Sequence, residues 1–561
     1  MVYRGKPSAG CGECRTRKVK CDQTRPACNR CIKAKRACPG YRDQLSLLFR
    51  DESRAVAQKA KSNSSNSSSS NSPSQTTASD SFQFAATLQD VGSKTPSTCW
   101  EIASCQDEVG LQLPLYPLKE SERFQATCFF FSSYSWLYSG LMQGRDPYGE
   151  LSPSAPMGEK AMMNAMVSAG MASLSNLRGS QSMRLTACRE YSKALKWTNA
   201  AISDHKQATE DTTLAAILCL SLFEILTCQT PQTIGDFVEH TKGAIALLEL
   251  RGETQLKQEN AVMLFYSLRN QIIAACIMRN APVPAGLIAL SEKATTLPNA
   301  SITSIVSHRL TVLMAKLCDI RVIFEEIRPS VDADLLSNAF ALDAELEAFT
   351  NEFPMYFTYD RVNIRPGQTF KVSDSRQLPC IGNYRHSYTA WAVANQWNNY
   401  RYCRILLNEL ILDQLMQMII HPGTVPPSPD FKDLCHRVCG VVRQLALDIC
   451  EGVPSVLELG QIRNGRNRSL MDGLALLFPL YVAATVDGPG TPVCDWIRDC
   501  LTTIGVSMGI DQALTLVQML EREPVLTRVL EYLQEHDDSP VQVPIDAEMP
   551  NDFSTYNTQY S

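Results

Sequence analysis

Six cysteines near the N-terminus constrain this chain more than any other feature of its sequence. They follow the pattern Cys-x2-Cys-x6-Cys-x6-Cys-x2-Cys-x6-Cys and are Cys11, Cys14, Cys21, Cys28, Cys31 and Cys38. Zinc favours about four thiolate ligands in tetrahedral geometry. Six thiolates are too many for one zinc ion and too few for two separate sites. Two sulfurs must therefore each bridge both ions, which predicts a single cluster of two Zn²⁺ per chain.

The cysteine array is also an internal repeat. Residues 11–21 and 28–38 superpose at an offset of 17, so that each cysteine of the first half has a counterpart in the second. Two loops related by a pseudo-twofold axis should share equivalent ligands, which predicts Cys11 and Cys28 as the bridges. Pro26 would stiffen the turn between the loops. Because few residues remain to form a core, we expect the metal to supply the folding free energy.

Charge is distributed unevenly along the 561 residues, whose net charge is −5. Residues 1–61 carry +11 and the remainder carries −16. Between residues 11 and 38, nine Lys and Arg side chains accompany two acids, Glu13 and Asp22. A basic head joined to an acidic body is typical of a nucleic-acid-binding module attached to a domain that stays off DNA.

Two other interpretations of the cysteines stay open. Six cysteines in a secreted chain would form three disulfides, but the N-terminus lacks the apolar segment of a secretion signal. A zinc module that binds protein instead of DNA is the second alternative, since zinc is often only structural. It leaves the basic residues of the first repeat without a purpose.

In its spacing and its basic residues this segment resembles the fungal binuclear zinc cluster (Zn₂Cys₆) transcription factors. The resemblance covers about residues 8–40. It implies that the first and fourth cysteines bridge, and that a short helix following the second cysteine enters the major groove and reads a CCG (CGG) triplet. By position, Lys18 is the expected base contact with Arg17 beside it, and Arg15 and Lys20 lie nearer phosphates.

The residue types suit that role independently. Lys and Arg are the usual donors to guanine O6 and N7, and both also neutralise phosphate. A regular helix from Cys14 to Cys21 would place Lys18 on the same face as the metal ligands. We therefore expect a short helix that ends before Cys21, and its start at Cys14 would bring positive helix-dipole charge near a thiolate.

The chain is predicted to contain four segments. A zinc cluster domain spans residues 8–40. A linker spans 41–118, with a short polar helix over 41–61 followed by a Ser- and Asn-rich disordered tether. An all-helical domain spans 119–536, and an acidic disordered tail with five acids and no Lys or Arg spans 537–561. The overall fold class is all-α.

Helical periodicity dominates the large domain. Apolar residues from Ile234 to Leu248 follow one helix face, and Gly252 is placed to end that helix. Asp511 is a candidate N-cap of another helix. Strand-like alternation is scarce, and breaks fall at Pro, Gly and Asn clusters such as Pro282–Gly286 and Gly488–Pro492. The pattern predicts about a dozen helices.

A second resemblance covers some 400 residues. The stretches His240–Gly252 and Phe478–Ala484 look like the fungal-specific transcription factor regulatory domain, and residues 38–42 are similar to the junction of that subgroup. The resemblance implies regulation through ligands or partner proteins, and such factors often control metabolic or secondary-metabolite gene clusters. For His240 we favour a place on a polar helix face over a role in a ligand site. For Arg251 we favour an interaction with the negative C-terminal end of the helix dipole over such a role.

Catalysis is the third functional class considered. Gly505-Val506-Ser507-Met508-Gly509 fits the Gly-x-Ser-x-Gly pattern of hydrolases. That motif works on a strained turn between a strand and a helix, and the β-α alternation is missing here. We expect a helix-to-helix turn at which the two glycines allow close packing, and no enzyme.

Neither a further metal site nor a membrane span is expected. Fifteen more cysteines are scattered from Cys99 to Cys500, as small core residues in a reducing compartment would be. The group Cys435, His436 and Cys439 is at helical spacing and is interpreted as packing. The apolar runs 214–223 and 473–486 are shorter than the roughly 20 residues of a membrane helix, and are interpreted as core helices.

Together these observations predict a nuclear, sequence-specific transcription regulator of the RNA polymerase II type. Its expected partners are double-stranded DNA with CGG-type sites and transcriptional co-regulators, and a homodimer is one candidate assembly. The alternative is a zinc-dependent protein-interaction cofactor without DNA specificity of its own. An activating or a repressing role is open at this point.

Overall fold

We describe this protein from a computed structural model. The structure describes residues 11–24, 27–39, 120–138, 141–142, 146, 148, 151–298, 300–328, 330–373, 376–420, 429–464, 470–521 and 524–535. The turn residue Pro26, the linker and its short helix, and the acidic tail from 537 onward lie outside these residues. The expectations for those segments therefore stay predictions.

The cysteine-rich segment contains two five-residue helices, α1 (Gly12–Thr16) and α2 (Asn29–Lys33). Apart from its cysteines it has few buried apolar side chains: the buried cluster consists of Cys11, Cys14, Cys28 and Cys31, with Val19 packed against it. Helices this short are not stable by themselves. The sulfurs are thus the core of this segment.

The rest of the described chain is mainly helical. From residue 122 onward it contains sixteen α-helices: α3 (Glu122–Tyr138), α4 (Met157–Arg178), α5 (Gln181–Ser203), α6 (His205–Ala208), α7 (Asp211–Thr227), α8 (Ile234–Arg251), α9 (Glu259–Arg279), α10 (Ala285–Thr295), α11 (Ile302–Ile327), α12 (Ala333–Asn351), α13 (Trp391–Ile420), α14 (Pro429–Asn464), α15 (Leu470–Asp487), α16 (Pro492–Met508), α17 (Asp511–Gln518) and α18 (Val525–Glu535). The all-α fold class is confirmed, although the helices exceed the dozen expected.

Helix α4 lies at the centre of the first half of this region. Its residues Ala161 to Ser175 are all buried, on every side of the helix. Ala, Gly and Ser make up much of that stretch, and their small side chains allow α3, α5 and α7 to approach closely. Helix α7 contains the apolar run 214–223, which is buried throughout as expected for a core helix.

Four short strands lie between α12 and α13. They are β1 (Tyr359–Asn363), β2 (Thr369–Ser373), β3 (Arg376–Pro379) and β4 (Tyr384–Tyr388). The outer pair β1 and β4 is antiparallel with Tyr359 opposite Tyr388, and the inner pair β2 and β3 is also antiparallel. In β2 the buried Phe370 and Val372 alternate with exposed residues, a local period-2 signal that the helical interpretation passed over. The strands pack on α14 and α16.

Two details of the predicted helix ends are confirmed or corrected. Helix α8 ends where expected, with Gly252 at a φ of 53° just beyond it. Asp511 is the first residue of α17 and not its N-cap, which is Ile510. Its carboxylate instead accepts hydrogen bonds from Arg184 (2.8 Å) and Gln229 (3.1 Å). A tertiary contact has taken the carboxylate that local capping would have used.

Arg251 also differs from its expected role as a polar partner at the end of a helix. The side chain is buried, and its guanidinium forms an ion pair with Asp211 at the start of α7. The arginine therefore joins two helices inside the domain. The side chain of His240 lies outside the described residues.

Two helices among the described residues are long and apolar enough to cross a membrane, namely α9 and α15. Helix α15 extends the apolar run 473–486 to 18 residues. More than half of each apolar window, 56% in α9 and 61% in α15, is buried inside the protein. The burial of α15 agrees with the core helix predicted for residues 473–486.

Replacing Gly170 with alanine should destabilise the helical domain. A Cβ atom at Gly170 would lie 2.2 Å from the carbonyl oxygen of Ala126 and 3.2 Å from the Cβ of Phe130, so α3 and α4 would have to separate. Overpacking of this kind costs about 1–3 kcal/mol. Urea unfolding followed by far-UV circular dichroism would measure the loss.

Gly440→Ala is the matched control. Gly440 is exposed inside α14, and nothing lies within 4 Å of the position its Cβ would occupy. Alanine should stabilise this helix by about 0.5–1 kcal/mol. Equal effects of the two substitutions would contradict the close crossing of α3 and α4.

Candidate metal centre and nucleic-acid interface

The two halves of the cysteine-rich segment have the same local structure. In each half a cysteine precedes a five-residue helix, and its sulfur accepts a hydrogen bond from a backbone N–H three residues later: Cys14 N–H to Cys11 Sγ (3.4 Å) and Cys31 N–H to Cys28 Sγ (3.3 Å). Each helix is closed by a residue with positive φ, Lys18 (54°) and Lys35 (51°). The internal repeat of the sequence is therefore a repeat of structure.

Hydrogen bonds at the helix ends repeat at the same offset. The N–H of Val19 donates to the carbonyl of Cys14, and the N–H of Arg36 donates to that of Cys31, both at 3.0 Å. These bonds return the chain toward the cluster after a single helical turn. The third cysteine of each half, Cys21 or Cys38, can then approach the other two.

The six sulfurs form two overlapping groups. Cys11, Cys14, Cys21 and Cys28 make one group, and Cys11, Cys28, Cys31 and Cys38 make the other. Within each group all the sulfurs lie within 4.8 Å of one another. Cys11 and Cys28 belong to both groups, and their sulfurs are 3.6 Å apart.

The spacing of the sulfurs fits zinc. Four thiolates at the usual Zn–S distance of about 2.3 Å in a tetrahedron are separated by about 3.8 Å. The sulfur of Cys11 lies 3.7 Å from that of Cys31, and the sulfur of Cys14 lies 3.7 Å from that of Cys28. The donor set is thus suited to two tetrahedral ions that share two ligands.

The protonation of the thiols depends on the cluster. Without a cation, burial together with the neighbouring sulfurs of Cys11 and Cys28 raises the pKa of Cys14 to about 12. The backbone N–H of Cys11 is the largest cause that lowers the pKa of Cys21, to about 6. Zinc binds the thiolate, so metal binding must release protons from the buried sulfurs, and zinc supplies the positive charge that keeps them ionised.

The basic residues predicted to contact DNA lie on the outside of this cluster. Arg17, Lys18 and Lys20 are exposed, and the side chain of Arg15 lies outside the described residues. Lys18 occupies the left-handed position that ends α1, a conformation uncommon for a residue with a Cβ atom. The first repeat thus presents a cationic loop around Lys18.

The helix of the first repeat differs from the expected one. It begins at Gly12 and ends at Thr16, so it contains Cys14 and does not follow it. Lys18 consequently lies just after the helix, and the residue at the positive end of the helix dipole is Cys11. The helix ends before Cys21 as expected, because the cluster requires the chain to turn back.

Both acids of the segment have a structural role that the sequence did not reveal. Glu13 forms a salt bridge of 3.0 Å with Arg36, which connects the two repeats. Asp22 accepts a hydrogen bond of 3.0 Å from the N–H of Asn29, the first residue of α2. Neither spacing matches a local rule, because each contact depends on how the loops fold around the sulfurs.

A second group of possible metal ligands lies in the helical domain. Donor atoms of His386, Asp448 and Glu451 lie within 4.8 Å of one another, and all three side chains are buried. Arg401 approaches His386 Nδ1 at 3.2 Å. Because a guanidinium only donates, Nδ1 accepts and the histidine proton is on Nε2.

That proton points toward a carboxylate. Nε2 lies 3.3 Å from Glu451 Oε2, a close approach without hydrogen-bond geometry. Burial, followed by the charge of Arg401, lowers the pKa of His386 to about 3. The lone pair of this neutral histidine is on Nδ1, where it accepts from Arg401, and Nε2 carries the proton. Neither nitrogen then has a lone pair free for a metal, so we interpret the group as a buried polar network.

The remaining motifs lie on helices. Ser507 is inside α16, where its hydroxyl donates to the carbonyl of Thr503. Gly505 packs against Leu514, and Gly509 ends the helix at a φ of 70° beside Ser173. The five residues 505–509 therefore have the helix-to-helix packing predicted for them and lack the strand–turn–helix geometry of a hydrolase nucleophile.

The cysteine pair of α14 is also a packing feature. Cys435 and Cys439 are buried, whereas His436 on the same helix is exposed. Burial raises the pKa of Cys435 to about 11 and that of Cys439 to about 12. These thiols are protonated at neutral pH and point away from the imidazole.

Comparisons with known proteins identify two domains. Residues 9–47 match the fungal Zn(2)-Cys(6) binuclear cluster domain, and residues 129–280 match the fungal specific transcription factor domain. No solved structure matches the chain.

Two curated proteins are similar over short stretches of the chain. One is an uncharacterised transcriptional regulatory protein of Schizosaccharomyces pombe, 50% identical over 38 residues, which are 7% of this chain and 7% of that protein. The other is white-opaque regulator 2 of Candida albicans, 36% identical over 53 residues, which are 9% of this chain and 12% of that protein. The chain thus aligns with a small part of the length of either relative.

The domain matches agree with the donor set of the cluster, since a binuclear cluster domain binds two zinc ions. The two matched domains are transcription factor domains, and both relatives are named as regulators. The chain thus contains a domain that matches the fungal Zn(2)-Cys(6) binuclear cluster model and a second that matches the fungal specific transcription factor model.

Proposed function

We propose that this protein is a sequence-specific, DNA-binding transcription regulator that acts in the nucleus. The observation that carries the proposal is the pair of four-sulfur groups that share Cys11 and Cys28 and hold an exposed cationic loop. Two Zn²⁺ held by the six cysteines would fix that loop, and in this proposal Cys11 and Cys28 are the bridging ligands.

DNA recognition is assigned to the first repeat. Lys18 donates to guanine O6 and N7 of a CGG-type triplet, and Arg17 supports it. Arg15 and Lys20 contact phosphates and add affinity without sequence preference. The counterparts of Arg17 and Lys20 in the second repeat are Ala34 and Ala37. The cations beside Lys35 are instead Lys33 and Arg36, and Arg36 is paired with Glu13.

One cluster reads about three base pairs, which is too little to select a promoter. The additional specificity would come from a second half-site bound by a homodimer, or from the linker. The proposed division places the cluster domain at 8–40, the linker at 41–118, the helical domain at 119–536 and the acidic tail at 537–561. In this division the helical domain contacts co-regulators, and the regulated genes belong to a metabolic or secondary-metabolite cluster.

Replacing Lys18 with alanine tests the base contact. Selection from randomised DNA by the full-length protein should recover sites with CGG, and EDTA should abolish binding. Lys18→Ala should cost about 1–3 kcal/mol of discrimination at the triplet, because a base contact is lost. Lys20→Ala should weaken all DNA sequences to a similar extent, because a phosphate contact is lost.

Lys35→Ala is the matched control for the backbone. Lys35 has nearly the same positive φ as Lys18 and the equivalent place after α2, so alanine has the same conformational effect in both repeats. It should leave the selected triplet unchanged. An intact CGG preference in Lys18→Ala would refute the base contact, and zinc-dependent binding to protein without DNA selection would favour the alternative, a zinc-dependent interaction cofactor.

A further inference from the structure

A partly open cavity of about 350 Å³ lies between helices of the helical domain. Helices α7, α9, α11, α13 and α15 all contribute to its wall, with Tyr134 of α3 and two residues from α17. Its volume is in the range of pockets that hold small molecules. The wall is formed by segments that are far apart in the sequence, and no motif of the chain predicts it.

The wall is mainly apolar and has no charged side chain among the described residues. Its apolar part includes four flexible methionines, Met263, Met278, Met314 and Met471. Methionine side chains adapt to ligands of irregular shape. An ion inside such a wall would lose its hydration without a partner charge, so the cavity favours a neutral occupant.

Three amides of α13 belong to the polar part of the wall, which also includes Ser267, Asn270, Gln271, Thr311 and Gln512. Asn395, Gln396 and Asn399 lie within about one turn of α13 and line the cavity. Gln396 is 6% exposed, and its side-chain oxygen has no hydrogen-bond partner. Leaving a buried acceptor unpaired costs about 1–3 kcal/mol, and a donor in the cavity would remove that cost.

A second polar point is provided by Ser307 on α11. The guanidinium of Arg269 is buried behind the wall, where it donates to Ser307 and to Ser291 (3.0 Å). Arg269 is not one of the lining residues. Since the serine oxygen already accepts from arginine, its O–H remains suited to donate to an acceptor of a ligand.

We propose that this cavity binds a neutral, largely apolar small molecule that carries a hydroxyl or N–H group, with Gln396 as the acceptor for that group. Shape and apolar surface supply most of the affinity. The hydrogen bond to Gln396 supplies selectivity for the donor. The inference concerns the helical domain alone and does not depend on the DNA contacts proposed above.

Fluorescence titration of the zinc-loaded, full-length protein with three pyrene probes tests the proposal. The probes are 1-pyrenemethanol, its methyl ether and 1-pyrenesulfonate. The alcohol should bind about fivefold to tenfold more tightly than the ether, the difference expected for one hydrogen bond. The sulfonate should bind more weakly than either neutral probe.

Two substitutions locate the binding. Gln396→Leu keeps the size of the side chain and should reduce the alcohol-to-ether preference to about one. Ala274→Phe fills the cavity from α9 and should weaken both neutral probes at least tenfold. Gln417→Leu, on the same helix but outside the cavity, should change neither quantity.

Several results would overturn the proposal. Equal binding of the alcohol and the ether to the unmodified protein would remove the role of Gln396. Tighter binding of the sulfonate would assign the cavity to an anion attracted by Arg269. Unchanged binding in Ala274→Phe would place the probes elsewhere, and thermal unfolding of each variant shows whether a lost signal reflects an unfolded domain.

Discussion

Replacing Cys28 with serine should release both zinc ions and abolish sequence-specific DNA binding. The sulfur of Cys28 belongs to both four-sulfur groups, so its removal leaves each zinc with three ligands. A serine hydroxyl does not replace a thiolate because it stays protonated at neutral pH. Structural zinc contributes about 10–16 kcal/mol to the folding of small zinc domains, and the cysteine segment has little other core.

The measurement is the zinc content per chain after gel filtration, together with DNA binding. Cys14→Ser is the informative comparison, since the sulfur of Cys14 belongs to one group and its loss should release one ion more readily than the other. Cys188→Ser, in α5 of the helical domain, should retain both ions. One tightly held zinc in Cys28→Ser would mean two independent sites and no bridge at this position.

Replacing Arg401 with methionine should destabilise the helical domain by about 3–5 kcal/mol, the cost of removing one partner from a buried charge network. Arg401 is 1% exposed. It donates to the hydroxyl of Tyr388 (2.6 Å) and to His386 Nδ1 (3.2 Å), and its guanidinium lies 5.0 Å from the ring centre of Tyr359. Arg401 therefore connects α13 to both β1 and β4 through these contacts.

The loss of stability in Arg401→Met arises from the buried polar groups that lose their partner. Without Arg401, the buried carboxylates of Asp448 and Glu451 lose a nearby positive charge, and Tyr388 and His386 lose a donor. Arg361→Met is the matched control. Its guanidinium also faces Asp448 (3.1 Å), but the side chain is 45% exposed and should contribute about 0–1 kcal/mol.

Urea unfolding of the full-length protein, followed by far-UV circular dichroism, compares the two arginines. The free energy of unfolding of the helical domain should fall much further for Arg401→Met than for Arg361→Met. Similar losses would contradict the buried network and would indicate that the strand segment is held by its apolar side chains alone.

The strand segment between α12 and α13 is a part of the fold that the sequence pattern hardly indicated. Phe370 and Val372 alternate with polar neighbours over only five residues, which is too short to compete with the surrounding helical periodicity. Asp511 shows a similar limit, because capping rules consider only neighbours in the chain and its carboxylate is held by Arg184, 327 residues away. The presence of the helices was predictable from the sequence. The partners of particular polar side chains, such as Asp511, were not.

The cysteine spacing by itself determined the number of zinc ions and the internal symmetry of the cluster. The helical periodicity of the large domain determined its all-α class. These are local properties, because ligand spacing and helical period are carried by residues close together in the chain. Only the tertiary structure placed Lys18 beyond the end of α1, joined His386, Arg401 and Glu451, and formed the cavity beside Gln396. Each of these depends on burial and contact between distant segments, which a local pattern does not contain.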